Sequence, residues 1–269
     1  MARRSFVWPA LIALLVLVAL LGPSLTPYDV ATPNYRLRLA PPTWSHPLGT
    51  DHLGRDIAAR VLVGARATLG MSFAIATLAT ILGVAVGVLS VLAGRWGDAL
   101  LTRLAEVVQT LPAFVLAVTV SAAFGASHAG LVATFVALGW TTHARLARGL
   151  VRAIATREHV LVARLHGVAP FAIVRRHFLP LIAPPLLVTW SENWSRAILA
   201  ISGLGFLGLG VPPPQPEWGA MLTDGRAYMG SAPLVMLGPG LLIVTSVLTI
   251  NLFGDWLRDR VSDDQSRAA

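Results

Sequence analysis

Six long apolar stretches run through this chain, at about 6–26, 68–93, 100–124, 128–147, 184–210 and 233–255. Each approaches the roughly 20 residues that a helix needs to cross the hydrocarbon core of a bilayer. The expected fold is therefore an all-α integral membrane protein with about six transmembrane helices. Composition agrees: 55% of the 269 residues are hydrophobic and 13% are charged, against about 25% charged in soluble domains. The first stretch follows Arg3 and Arg4 as a signal peptide would. Its apolar run is long for a signal core, and Gly22-Pro23-Ser24-Leu25 is a poor cleavage site. It is expected to remain as an anchor.

The charged residues exclude several functions. The chain has no cysteine, which removes disulfides, thiolate catalysis and cysteine-bound metals. All 21 basic residues are arginine, so there is no lysine for a phosphate loop, a Schiff base or a general base. A net charge of +8 would suit nucleic acid, but arginines in a membrane protein gather in cytoplasmic loops. No nucleic-acid partner is expected. With the N-terminus inside, the inner segments hold Arg3, Arg4, Arg95 and Arg103, the cluster from Arg145 to Arg176, and Arg258, Arg260 and Arg267. Both termini are thus expected in the cytoplasm.

Two outer segments follow from that orientation. Residues 27–67 contain "HPLGTDHLGRD", rich in turn formers, and 208–232 contain "GVPPPQPEWGAM", where proline favours an extended path. Gly83 and Gly87 stand one turn apart in the second span, the small-residue spacing of tightly packed helices. The chain divides into an anchor with its outer segment (1–66) and a core of five transmembrane helices (67–269), with a polar insert at 150–180 between the fourth and fifth.

That insert includes "LVARLHGVAPFAIVRRHFLP" at 161–180. Glu158 to Leu165 has a helical pattern, Gly167 stops or bends it, and 170–178 has a second short helical pattern before Pro180. An amphipathic pair at a membrane edge serves either as an anchor held to anionic lipid or as an element docking in a groove of a soluble partner.

In this region the chain resembles the permease subunits of ABC importers in the dipeptide, oligopeptide and nickel branch. The block Leu161-Val162-Ala163, Gly167, His177, Leu179 and Pro180 keeps that family's Glu-Ala-Ala, Gly, x-Leu-Pro spacing. Leu161 and Val162 depart from it, leaving Glu158 one turn upstream as the nearest acid. "HPLGTDHLGRD" with "GARATLG", "RLAEVVQTLP", "GFLGLGVPPPQPEWGAML" and "NLFGDWLRDR" resemble further blocks in the family's order. Glu106 stands where the family places aspartate.

The resemblance implies an importer subunit without chemistry of its own, in the bacterial inner membrane. Two permeases would pair, most simply as a heterodimer, and seat their inserts on two ATPase subunits. Glu158, Ala163, Gly167, His177, Leu179 and Pro180 would form the coupling element. ATP and Mg would belong to the ATPases, with no cofactor on this chain, and an outer solute-binding protein would deliver the cargo. The branch carries peptides and nickel; "TDHLGRDI", "REHVLVARLHG" and Ile201 lean slightly toward the nickel members.

Other candidates come from the residues themselves. Glu192 and Arg196 lie one turn apart inside the fifth apolar run and, with Asn193, either line a translocation path or neutralise one another in packing. His46 and His52 flank Asp51, with Asp56 near, an imidazole and carboxylate set suited to a divalent metal; a structural turn explains them more simply. An intramembrane enzyme would need a nucleophile–base pair or an acidic metal cluster in the spans, and no such motif occurs. A passive channel would leave the 161–180 insert without a use.

Overall fold

A computed structural model describes residues 6–125 and 127–268. It contains α1 (Val7–Leu25), α2 (Ile57–Leu92), α3 (Gly94–Thr110), α4 (Ala113–Phe124), α5 (His128–Ala155), α6 (Glu158–Leu165), α7 (Pro170–Ile173), α8 (Leu179–Phe206), α9 (Trp218–Arg226) and α10 (Leu234–Ala268). Among the described residues there is no strand, only an isolated antiparallel bridge between Thr50 and Asp56.

Four helical stretches are long and apolar enough to cross a membrane: Val7–Leu25, Ile57–Leu92, Pro170–Phe206 and Leu234–Ser262. A fifth counts if α3 and α4 are taken together, and these are bent by 74°. The expectation of about six is thus modified at two places. The apolar stretch 100–124 is broken at Leu111-Pro112, where the residue before proline is driven to extended backbone (ψ 124°). At 28 residues, about 42 Å, α5 is long enough to cross. His128, His143 and Arg145 leave it too polar to meet the same standard.

The α2 helix is the hub. It packs on α5, α8 and α1, while α10 packs on α8 and α9. A Cβ on Gly83 would stand 2.4 Å from the Trp140 carbonyl oxygen, and one on Gly87 would stand 2.5 Å from that of Ala144. The α2 and α5 backbones therefore touch, as the glycine spacing led us to expect. Peripheral α1 applies Ile12, Leu15, Val18 and Ala19 to the core and leaves most of its surface open. Trp190 and Trp194 pack, as expected. Their indoles donate to Thr77 Oγ1 (3.2 Å) and Ser72 Oγ (3.1 Å) on α2.

Helix boundaries differ from the apolar stretches where a polar group sets them. Asp56 caps α2 by accepting from the Ala59 N–H at 2.6 Å, so α2 begins at Ile57 and crosses residue 66 without a break. The 208–217 stretch is non-helical, as expected, but runs through turns at Gly208 and at Pro213-Pro214 rather than along an extended path, and α9 follows Glu217.

Candidate functional site

At one end of the bundle the insert is held by three buried side chains. Val160, Ile173 and Phe178 pack with Val88, Val151, Ile154 and Ile182 from α2, α5 and α8. Around this anchor the exposed surface is also apolar: Leu165 is 87% exposed and Phe171 77%, with Leu161 and Val162 about half exposed. Arg164, Arg175 and Arg176 are exposed beside them.

Gly167 ends α6 at φ +72°. The Gly167 N–H donates to Arg164 O, and the Val168 N–H reaches back to Ala163 O, at 3.0 and 3.1 Å. This is a Schellman cap, which needs a left-handed residue at that point, so Ala163 and Gly167 have a definite backbone role. Ala169 is extended and Pro170 opens the next helix, where its missing N–H costs nothing. Glu158 sits in the first turn of α6, a favourable place for a negative charge.

The second short helix is not a separate element. From Pro170 the chain stays helical to Phe206 through a π-helical turn, Val174–Phe178, in which the Leu179 N–H donates to Val174 O. Pro180 explains the widening: it has no N–H to give, and its ring would press on the carbonyl one turn back. His177 lies in that turn with its ring centroid 5.5 Å from that of His159. Leu179 and Pro180 begin α8. All six coupling candidates therefore fall within one small region.

At the opposite end the "HPLGTDHLGRD" stretch forms a buried charge cluster. Asp51 accepts from Arg55 Nε at 2.8 Å and lies 3.4 Å from Arg60 Nε, while both arginines reach Asp224 of α9 at 3.6 Å. Asp51, Arg55 and Arg60 are almost fully buried. His46 Nδ1 meets Asp56 Oδ2 at 2.8 Å, and His52 stacks on Tyr228 at 5.7 Å. Among the described residues no group of three or more His, Asp or Glu is placed to hold a metal. The two histidines serve separate contacts.

The pair expected between Glu192 and Arg196 is altered. Glu192 meets Arg258 of α10 at 2.5 Å, whereas Arg196 Nη2 is 3.8 Å away and its side chain is 71% exposed. Spacing along α8 identified a neighbour, but the facing helix supplies the nearer cation. Ser195 Oγ donates to Asn251 Oδ1 at 2.7 Å. The Asn193 Nδ2 group is buried without a partner.

Two groups escaped sequence reasoning. Glu217, fully buried, caps α9 by accepting from the Gly219 and Ala220 N–H groups at 2.8 and 2.9 Å, and Thr68 of α2 donates to it at 3.1 Å. Burial pushes its carboxyl above the ordinary glutamate range, outweighing those hydrogen bonds. An acid followed by an apolar turn was the available signal, hidden by the prolines before it. Asp98 of α3 takes a bidentate contact from Arg148 (2.5 and 2.7 Å) and a further one from Arg152. Both arginines lie at least 50 residues away in sequence, so no local pattern could show it.

These parts combine a membrane-crossing bundle with a locked polar cap at one end and an open apolar face at the other, the build of a membrane transport subunit. The chain belongs to the family of binding-protein-dependent transport system inner membrane components, whose model matches residues 56–267. It is the permease subunit of an ABC importer, a multi-pass inner-membrane protein. A protein of Brucella suis named as a peptide transport system permease is 38% identical over 260 residues, 96% of this chain and 88% of that one. The dipeptide transport system permease protein DppC of Alkalihalophilus pseudofirmus is 36% identical, over 96% of this chain and 84% of its own length. The nickel transport system permease protein NikC of Escherichia coli is 36% identical, over 93% and 91%. Inward-facing MetNI methionine ABC transporter structures share the fold at a TM-score of 0.59 and 21% identity, over 74% of this chain and 95% of that one.

Proposed function

We propose that this permease forms part of a path for small peptides or metal chelates, nickel among them, delivered by an outer solute-binding protein. It pairs with a second permease subunit, a heterodimer in our reading, and docks on two ATPase subunits that carry the ATP and Mg; this chain holds no cofactor. The observation that carries the docking role is the insert itself. Its inner face is anchored by Val160, Ile173 and Phe178, while Leu161, Leu165 and Phe171 are left to water unless a groove covers them. A solitary lipid anchor would leave unexplained the exact cap that fixes the angle between α6 and α7. Relatives named for peptide, dipeptide and nickel transport support the cargo class.

Co-purification of the ATPase with the double variant Leu165→Asp and Phe171→Asp tests the docking role. We expect recovery to fall at least about tenfold, since a few buried apolar anchors carry most of an interface. Gly167→Trp should act in the same direction through the cap. Undiminished recovery with normal ATP-driven uptake of both variants would refute docking through this insert. Uptake of a dipeptide compared with chelated nickel decides the cargo.

The arginine distribution supports cytoplasmic termini. Ser45→Cys and Ser262→Cys have no thiol background in this chain. An impermeant thiol reagent on intact cells should label the first and spare the second. The reverse pattern would overturn the orientation.

A further inference from the structure

Beside the outer charge cluster lies a cavity of about 490 Å³ between the first turns of α2, the start of α5 and the proline-rich loop. Val30, Ala31, Val63, Met71 and Pro216 give it apolar walls, and Arg66, His128 and Gln215 are among its polar lining residues. Its volume falls in the range of small-molecule sites, which pair apolar walls with a few placed polar groups.

The charge of this cavity is unbalanced. Arg60, less than two turns earlier on α2, is neutralised by Asp51 and Asp224. Among the described residues no carboxylate comes within ion-pair distance of Arg66. The two acids nearest the lining in sequence are occupied elsewhere. Asp29 accepts from the Ala31 N–H and the Thr32 hydroxyl, and Glu217 turns inward to Gly219, Ala220 and Thr68. A guanidinium stays charged at any physiological pH and offers a planar fork to a carboxylate. Arginines in membrane helices usually pair or face a water-filled route; Arg66 is exposed and lines the cavity.

We propose that this cavity is an outer selectivity site for a carboxylate on the imported solute, with Arg66 as the recognising cation and Gln215 and His128 as hydrogen-bonding neighbours. A free peptide C-terminus fits, as does a metal held by a carboxylate chelator. A bare divalent cation is repelled. The inference rests on the importer reading above, and it predicts which form of either cargo is accepted.

The test uses Gln215→Cys in the assembled transporter in membranes, with labelling read on this subunit. An anionic sulfonate thiol reagent should outpace a cationic ammonium reagent about tenfold, relative to their ratio on a free thiol, as one unpaired charge at short range implies. Adding Arg66→Gln should erase that preference, and Arg66→Lys should keep it. Dialanine should slow the labelling, and dialanine amide should not. Equal rates for the two reagents, or a preference that survives Arg66→Gln, would overturn the site; equal protection by acid and amide would remove the carboxylate assignment. Intact dialanine uptake with no charge preference sinks this site and leaves the importer reading standing. An Arg66-dependent preference with protection by the nickel–histidine complex, but no dialanine uptake, keeps the site and removes peptides from the cargo.

Discussion

The two ends of the bundle treat charge in opposite ways. At the end formed by the start of α2 and by α9, Asp51, Arg55, Arg60, Asp56 and Glu217 are buried, and each meets an opposite charge or several N–H donors. At the insert end Arg164, Arg175 and Arg176 are exposed, and the large apolar side chains Leu165 and Phe171 are exposed with them. A buried charge is tolerable only when partnered, so this cap is complete within one chain. An exposed apolar face rimmed by cations costs nothing once another protein covers it. One end is self-sufficient; in our proposal the other is completed by a partner.

The sharpest way to break this contrast is to remove the centre of the buried cluster. Asp51→Ala leaves the buried Arg55 and Arg60 with only Asp224, 3.6 Å from each, and loss of one partner from such a set costs about 3–5 kcal/mol. We expect little folded protein after detergent extraction; a melting temperature within a degree or two of the parent would contradict the cluster's structural role.

A smaller effect is expected at Glu217. Glu217→Ala removes the α9 cap and leaves the Thr68 hydroxyl proton without its acceptor, about 1–3 kcal/mol. Glu217→Gln sharpens the comparison through pH. Because burial raises the Glu217 pKa, the folded chain keeps a proton that the unfolded chain releases. That contribution is whole below the ordinary glutamate value of about 4.3 and is lost as pH rises through the raised value. The glutamine variant should show a flatter fall in melting temperature over that interval, and an unchanged pH profile would refute a buried, protonating Glu217.

Between the two ends, the contact from Glu192 to Arg258 is partly exposed, so breaking it with Arg258→Gln should cost about 1 kcal/mol or less. If this face lines the path, uptake per assembled transporter falls further than stability does. Equal, small losses in both would mark it as packing only.

The smallest stability effect belongs to the insert. Leu165→Asp with Phe171→Asp should leave the unfolding free energy of the isolated subunit within about 0.5 kcal/mol of the parent, although ATPase recovery falls. A large loss of stability would mean that the insert, like the opposite end, serves the subunit's own fold.

Much of this molecule was legible from residue order. Runs of apolar residues marked α1, α2, α8 and α10, because a bilayer span is a local property of about 20 residues. Gly167 marked the bend of the insert, because left-handed backbone is also local. Gly83 and Gly87 announced the close approach of a neighbouring helix. Apolar counting alone did not show that Pro112 bends the 100–124 run between α3 and α4, nor how polar α5 is among its apolar residues.

What only the tertiary structure decided is which charges meet. Glu192 was matched by spacing to Arg196, but its nearer cation stands 66 residues away on α10. Asp98 finds Arg148 across 50 residues, and Asp224 closes over Arg55 and Arg60 from the far side of the chain. A sequence specifies what each helix carries on its faces. Which face meets which depends on how the helices rotate and tilt when glycines and tryptophans pack, so the partners of Glu192, the seat of Glu217 and the empty side of Arg66 became visible only in the folded bundle.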